Sequence, residues 1–483
     1  MSAETPNSQP VPALSLLDST SIIVGIIIGS TIYESSPAIA AGATAWLALP
    51  GADGPTGSAA SALASIAAIW LLGGAIALVG ALCYAELGAS YPRAGGTYVF
   101  LSEALGRQVG FAFAWAEFWI VRPGNVGAIA FVLANYARQT LVGSGGRDRY
   151  QELALAALAI VLLSVINALG LHAGRRTQNV LTGAKLLGLA AIVLTALTLP
   201  APPAGGAQLP ADGSLSLALI LIMFAYGGWA DMSFVAAEVR DPERNIFRAL
   251  VLGTLAVAGI YLAVNIALAL ALGIGGLARS PAVAAEVMSL RFGSWGAKAI
   301  SLLVVVSCLG AINGMLFTGA RVFYALGLEQ PAFRWLGQWD PRRQVPLRAL
   351  LLQAVITLAL VIGFGLAPGG FQRLVVFTGP FYWGFIGLVG VASIVLRLRG
   401  ALAPGGYRVP LFPLAPLFFV ASSGAMVFAA VRYALDQRHS DPAWSVGAWW
   451  AAGVIASGVA VAIYDAAAIR RATAAARRPS DPR

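Results

Sequence analysis

Between residues 14 and 466 the chain alternates long apolar runs with short polar connections rich in glycine and proline. The runs lie at roughly 14–41, 61–90, 108–137, 152–171, 178–199, 214–238, 249–274, 294–326, 346–366, 370–396, 409–433 and 443–466. Each holds about 20 residues or more, enough at 1.5 Å per residue to cross a hydrocarbon core of about 30 Å. The pattern predicts an all-α, polytopic membrane protein with twelve transmembrane helices. No stretch is left over for a sizeable soluble domain, which argues against an enzyme with an extramembrane active site.

Two of these runs are interrupted. In "GIIIGSTIYESSP" (25–37) an apolar helix meets Gly29-Ser30-Thr31 and then Pro37; in "LILIMFAYGGWADMSFVAAEV" (219–239) the interruption is Gly227-Gly228. Glycine inside a helix costs about 1 kcal/mol against alanine, and a backbone group freed in lipid costs several kcal/mol unless something binds it. Close helix packing is the competing reading of either cluster, because small residues also serve that purpose. Two breaks about 200 residues apart, in the first and sixth spans, instead point to a shared cavity at the interface of two structural repeats. This divides the chain into a segment 1–13, a first repeat 14–199, a second repeat 214–396, two extra helices at 409–466 and a basic tail 467–483. Half-helix N-termini past each break offer N–H groups and a positive dipole end to a carboxylate, while C-termini before it offer carbonyls to an ammonium. That pairing fits a zwitterion, and α-amino acids are the commonest small ones.

Five ordered stretches carry a family resemblance: "IIIGSTIY", "CYAELGASYPRAGGTYVFLSEALG" (83–106), "FAYGGW" with "EVRDPERNIFRAL", "SCLGAINGMLFTGARVFYALG" (307–327), and "LRLRG" with "YRVPLFPLAPLFF". The chain resembles the amino acid–polyamine–organocation superfamily, nearest to bacterial amino acid permeases and L-type amino acid transporters. The resemblance implies the five-plus-five inverted-repeat fold of the bacterial leucine transporter and alternating access around a midplane site. It implies that backbone N–H groups near Ser30, Thr31 and Ile32 hold a substrate carboxylate, and that the carbonyls of Ile27, Phe224 and Gly227 hold its amino group. Phe224 is implied as a thin gate, and Trp229 and Asn313 as walls of the side-chain pocket. Thr31 stands where the family usually has glycine; either the break uses ordinary dihedrals there or the hydroxyl contacts ligand.

Ionisable groups within the spans are expensive and draw functional readings. By resemblance to sodium-independent relatives, Lys185 takes the place of a sodium ion beside the first break; burial also makes it a candidate for proton coupling. The competing reading is a lysine snorkelling to the cytoplasmic face. Asp231 is placed to meet a cationic side chain or to pair with Lys185 or another base, or to serve as a plain N-terminal helix acid. Glu34 is read as facing water or an external vestibule, and Glu117 and Arg122 as structural pairs. Glu238, with its acidic and basic neighbours, is read as an inner gate closed through Arg93 or Arg321.

Composition narrows the picture further. The chain is 58% hydrophobic and 11% charged, with a net charge of +10. With the N-terminus inside, the arginine excess falls in the cytoplasmic loops and tail, so basicity sets topology rather than binding nucleic acid. A multi-pass protein of the inner, cytoplasmic membrane with both termini cytoplasmic follows. The N-terminus lacks a signal-peptide pattern. The two cysteines, Cys83 and Cys308, fall inside spans, and the loop after the third span has none, so no disulfide-linked heavy subunit is expected. No cofactor or metal is called for, and both histidines, His172 and His439, lie in loops, which disfavours an intramembrane enzyme. The function expected is sodium-independent secondary transport of L-amino acids, neutral ones first, by proton symport or exchange, as monomer or homodimer. A polyamine, organic-cation or cationic amino acid transporter is the runner-up, and a non-transporting amino acid sensor of the same fold is the further alternative.

Overall fold

The computed structural model describes residues 9–47, 59–142, 149–200, 213–280, 282–365, 370–440 and 449–464. Among them the chain is helical and forms no strand; two isolated bridges, Leu14 with Val239 and Asp340 with Val345, are its only β pairings. The helices are α1 (Leu16–Ile27), α2 (Thr31–Glu34), α3 (Ser36–Leu47), α4 (Ala59–Ser90), α5 (Thr97–Leu105), α6 (Arg107–Ala116), α7 (Arg122–Val142), α8 (Arg149–Ala168) and α9 (Leu171–Thr198). They continue with α10 (Leu215–Ala225), α11 (Pro242–Arg279), α12 (Val283–Glu329), α13 (Leu347–Gly365), α14 (Gly370–Leu398), α15 (Leu414–Ser440) and α16 (Trp449–Tyr464). Among the described residues, ten helical stretches are long and apolar enough to cross a membrane, and two shorter apolar helices occupy the ninth and twelfth runs. The tail 467–483 and the histidine His439 lie outside what can be described of side chains.

Local chemistry sets the interruptions. Helix α1 begins in a capping box, in which Ser15 Oγ accepts from the Asp18 N–H at 3.2 Å and Asp18 Oδ2 accepts from the Ser15 N–H at 3.0 Å. It ends at Ile27, and the chain restarts at Thr31. Pro37 does not break anything: it falls in the first turn of α3, where its missing N–H is not needed. The second interruption runs through Tyr226–Gly228 into a 3-10 helix, Trp229–Glu238. Between α6 and α7 a π-helical turn, Glu117–Val121, precedes Arg122-Pro123. A proline cannot donate to the turn before it and its ring crowds the carbonyl four residues back, which widens the helix there. The wider turn brings residues five apart onto one face, and so stacks Glu117 against Arg122.

Helix α1 is buried on nearly every side, packed against α9, α11 and α12. Its close approach needs small residues: a Cβ on Gly25 would fall 1.9 Å from Gln178 Nε2, and one on Gly314 of α12 would fall 2.3 Å from Ile26. Helix α8, by contrast, shows Leu158, Val161, Leu162 and Val165 outward, the face expected against lipid tails.

At the end of the 3-10 helix the chain is tied down. Arg321 of α12 grips Glu238 with two bonds, Nε to Oε1 at 2.8 Å and NH2 to Oε2 at 2.9 Å, both groups fully buried. The Glu238 carbonyl also accepts from the N–H groups of Ala13 and Leu14, at 2.8 Å each, and Leu14 returns its carbonyl to the Arg240 N–H at 2.9 Å. Of the two arginines considered for Glu238, Arg93 is engaged elsewhere, on Glu103 at the surface. Removing one partner of such a buried pair strands the other's charge, at about 3–5 kcal/mol. Arg321→Ala is therefore expected to lower the apparent melting temperature of the detergent-solubilised protein markedly, and the paired change Arg321→Leu with Glu238→Leu to restore most of it. Equal losses in the single and paired variants would refute a structural latch.

Candidate functional site

The two interruptions face one another across a cavity. Ile27, Gly29 and Thr31 line it from the first, Phe224, Gly227, Gly228 and Asp231 from the second, Arg122 and Asn125 from α7, and Thr378 and Tyr382 from α14. The rest of the wall is mostly apolar, including Ile129, Ile220, Met315 and Trp383.

Each break releases backbone groups, and specific side chains take them up. Lys185 of α9, fully buried, points Nζ at three carbonyls: Gly25 at 2.8 Å, Ile28 at 2.6 Å and Ser307 at 3.0 Å. Ser307 Oγ lies 3.1 Å from the Ile28 carbonyl and 3.0 Å from that of Gly29. Tyr261 Oη on α11 reaches both breaks, 2.8 Å from the Ile27 carbonyl and 3.2 Å from that of Ala225. On the other side, Tyr382 Oη accepts from the Gly228 N–H at 3.1 Å. Lys185 thus sits where a small cation would sit, surrounded by oxygen.

The dihedrals at the first break are ordinary. Ile28 has φ −77° and ψ 81°, Ser30 has φ −80° and ψ −21°, and neither residue nor Thr31 takes positive φ. A β-branched residue is therefore no obstacle at position 31, and Thr31 opens α2 with its hydroxyl unpartnered among the described residues. The second break does need glycine: Gly228 has φ 109°, and a Cβ there would meet Ile26 Cγ2 at 2.6 Å.

A charged group closes one end of the cavity. Arg122 donates from NH1 to Asp231 Oδ2 at 2.5 Å and from Nε to Glu117 Oε1 at 2.7 Å, with NH2 also on Glu117. Thr318 of α12 donates to the same Asp231 oxygen at 2.9 Å. All three ionic groups are buried. Asp231 thus pairs with Arg122 and not with Lys185, and Arg122, which the sequence presents as structural, is part of the cavity wall.

The residues singled out in the sequence do not all converge. Ile27, Thr31, Phe224, Gly227 and Asp231 reach the wall, whereas Ser30 and Ile32 are buried away from it. As the first two residues of α2, Thr31 and Ile32 leave N–H groups with no intrahelical acceptor. The Ile27 carbonyl accepts from the Tyr261 hydroxyl at 2.8 Å and from the Gly29 N–H at 2.9 Å, and the Phe224 carbonyl accepts from the Gly227 N–H at 3.0 Å, so the carbonyls at both breaks are engaged. Trp229 is off the wall, its ring packed edge-on against Tyr84 with centroids 5.0 Å apart. Asn313 is off it too, donating to Gln178 Oε1 at 2.9 Å and accepting from Asn167 Nδ2 at 2.8 Å. It ties α8, α9 and α12 together, while Met315, two residues on and on the opposite helix face, reaches the cavity. Glu34 stands beside Tyr136. Of the polar residues not anticipated, Tyr261 and Ser307 carry a legible signal, a polar group inside an apolar run, whereas Asn125 follows Arg122-Pro123-Gly124 and Thr378 and Tyr382 flank Gly379-Pro380, where the sequence gives no such contrast.

Two broken membrane helices around one cavity, with their freed backbone held by side chains, define a multi-pass transporter. The chain belongs to the amino acid permease family, whose model matches residues 14–459. It is 30% identical over 441 residues to the human b(0,+)-type amino acid transporter 1, covering 89% of this chain and 83% of that one. Against the mouse large neutral amino acids transporter small subunit 2 the identity is 30% over 421 residues, 84% of this chain and 75% of the relative. The same comparison with the human large neutral amino acids transporter small subunit 2 gives 30%, with 84% and 74% covered. The resemblance to the amino acid–polyamine–organocation superfamily is thereby established, and the family is one of permeases, not enzymes.

Gly228→Ala is expected to cost about 1–3 kcal/mol of strain and to lower uptake by purified protein in liposomes. The control is Gly183→Ala on α9, where a Cβ meets nothing within 4 Å. Equal behaviour of the two variants in thermal unfolding and uptake would remove the conformational argument at Gly228.

Proposed function

We propose that the protein is a secondary transporter of neutral L-amino acids across the cytoplasmic membrane, working by alternating access without sodium. The observation that carries this reading is the position of Lys185. Its ammonium meets three backbone carbonyls around the first break, the coordination a bound cation would otherwise supply. The amine nitrogen there already occupies the carbonyls that a sodium ion would need.

The cavity chemistry supports an amino acid. The N–H group of Thr31 on the wall, with that of Ile32 next to it, suits its carboxylate, and the negative dipole ends of α1 and α10, at Ile27 and at Phe224 with Gly227, suit its amino group. Phe224, on the wall beside them, is the gate that would close over it. The side-chain end is mostly apolar. Its one acid, Asp231, is already held by Arg122, which disfavours a polyamine or a cationic side chain. Relatives whose names denote amino acid transporters, one for large neutral amino acids, support the same class. The paired breaks support a five-plus-five repeat with α15 and α16 outside it, and the distribution of arginines supports cytoplasmic termini.

No disulfide-linked partner is part of this reading. One relative is by name a small subunit, but both cysteines here, Cys83 and Cys308, are fully buried and free. The same apparent mass is expected for membranes solubilised with and without reductant; a larger species lost on reduction would contradict it.

The test of transport is uptake of labelled amino acids by purified protein in liposomes, empty or preloaded, with and without sodium. Neutral amino acids are expected to enter and to compete with one another, unaffected by sodium. Lys185→Ala leaves carbonyls unpaired at about 1–3 kcal/mol each, and uptake is expected to fall by about tenfold or more. Sodium-stimulated uptake, or polyamines competing better than neutral amino acids, would overturn the proposal.

A further inference from the structure

A second, smaller cavity lies against the first and shares four of its residues, Arg122, Asn125, Asp231 and Tyr382. Glu117, Tyr84, Thr97 and Phe234 belong to the smaller cavity alone. The charged group Glu117–Arg122–Asp231 is therefore the partition between the two.

Its charge does not balance. Two carboxylates and one guanidinium sum to −1, buried in the membrane, where an uncompensated charge costs several kcal/mol. Nor are the carboxylates saturated. All of Arg122's bonds to Glu117 go to Oε1 and its bond to Asp231 goes to Oδ2, the oxygen that also takes the Thr318 hydroxyl. Glu117 Oε2 and Asp231 Oδ1 have no partner among the described residues, although both side chains are at least nine-tenths buried. One open oxygen belongs to a residue that lines the smaller cavity, the other to a residue that lines both.

The neighbours do not supply the missing charge. Tyr84 of α4 and Tyr382 of α14 face the two acids, and both are neutral donors. Phe234 offers Arg122 its ring face at 5.5 Å. Arg321, one turn beyond Thr318, is spent on Glu238, and Asp18 of α1 is held by Ser15 and Asn179. Lys185 is bound to carbonyls and touches neither acid. Neither cavity has a lysine or histidine in its lining.

We propose that the Glu117–Arg122–Asp231 group is the proton-binding site of the transporter, and that one proton shared by its two acids is the coupling ion. Taking a proton onto an open carboxylate oxygen brings the group from −1 to neutral, and giving it up restores −1; no other atom changes hands. Because Arg122 holds both acids, the proton belongs to the pair and not to one residue. Asp231 lies on the substrate cavity, so an occupied site and a filled cavity are electrostatically linked. Lys185 is in this scheme the donor that holds the carbonyls of the first break, not the coupling site. The inference rests on the transport reading above, which it deepens by naming the coupling ion.

Two measurements test it, one independent of transport. Infrared difference spectra of the purified protein between alkaline and acidic buffer should show a protonated carboxyl band that both Glu117→Gln and Asp231→Asn alter or abolish. A spectrum unchanged in both variants would overturn the site. In liposomes an inward gradient of one pH unit, about 1.4 kcal/mol per proton, should accumulate a neutral amino acid about tenfold. Glu117→Gln should lose this accumulation but keep exchange of labelled for unlabelled amino acid. Accumulation by Glu117→Gln at the wild-type level would overturn the proposal, as would wild-type exchange indifferent to the gradient. Absence of amino acid exchange by the wild type at any pH would instead strike the transport reading, and the infrared spectra would still decide the proton site.

Discussion

A carbonyl or N–H group released from its helix inside a membrane must find a partner, because the hydrocarbon offers none and the cost is several kcal/mol. Here two helices release such groups, and the partners come from α9, α11, α12 and α14. Lys185 and Ser307 hold the end of α1, Tyr261 spans from α1 to α10, and Tyr382 takes the Gly228 N–H. Four helices are thereby fixed around the two breaks. What they leave between them is the cavity, which is the space that remains once the backbone's own demands are met. The groups left over are few, the first N–H groups of α2 among them.

The same rule explains why charge is tolerated so close to an otherwise apolar site. Arg122 has donors arranged in a fork, and Glu117 and Asp231 meet it from two elements. The pairing with Glu117 depends on the π turn before Pro123, which brings residues five apart together. An ordinary α-helix would have put Glu117 and Arg122 about 140° apart on the helix face. The proline thus does more than end a helix. It selects the geometry that lets an arginine be buried next to the cavity.

Much of this was legible in the sequence, and the limits have physical reasons. The apolar runs and the glycine interruptions are strong signals because membrane crossing demands length and penalises broken backbone. Lys185 draws a functional reading for the same reason, as a charge inside a span, and its burial against three carbonyls decides against the snorkelling that the sequence also allowed. Facing is not legible. Asn313 and Met315 are two residues apart on one helix, and nothing in composition says which of them reaches the cavity. Trp229 adjoins the second break, yet the 3-10 turn rotates it into packing against Tyr84. The Glu117–Arg122 pair was readable, but not that Arg122 also reaches Asp231 and the cavity wall, since that depends on how α7 faces the second break. At Thr31 the doubt raised by a missing glycine resolves in the backbone itself, which never enters the left-handed region there.

The 3-10 helix Trp229–Glu238 connects the consequences. It carries Asp231 at the cavity and Glu238 at the latch, seven residues on. At a rise of about 2.0 Å per residue the two acids are about 14 Å apart on one stiff, narrow segment. Each is gripped by an arginine from a different helix, Asp231 by Arg122 of α7 and Glu238 by Arg321 of α12. If Asp231 takes up a proton as proposed, its hold on α7 weakens, at one end of the segment whose other end is held by Arg321. The ten residues are too short to absorb such a shift by gentle bending. Their 3-10 hydrogen bonds are also poorer than those of an α-helix, so a switch in helical winding costs less here than elsewhere in the span.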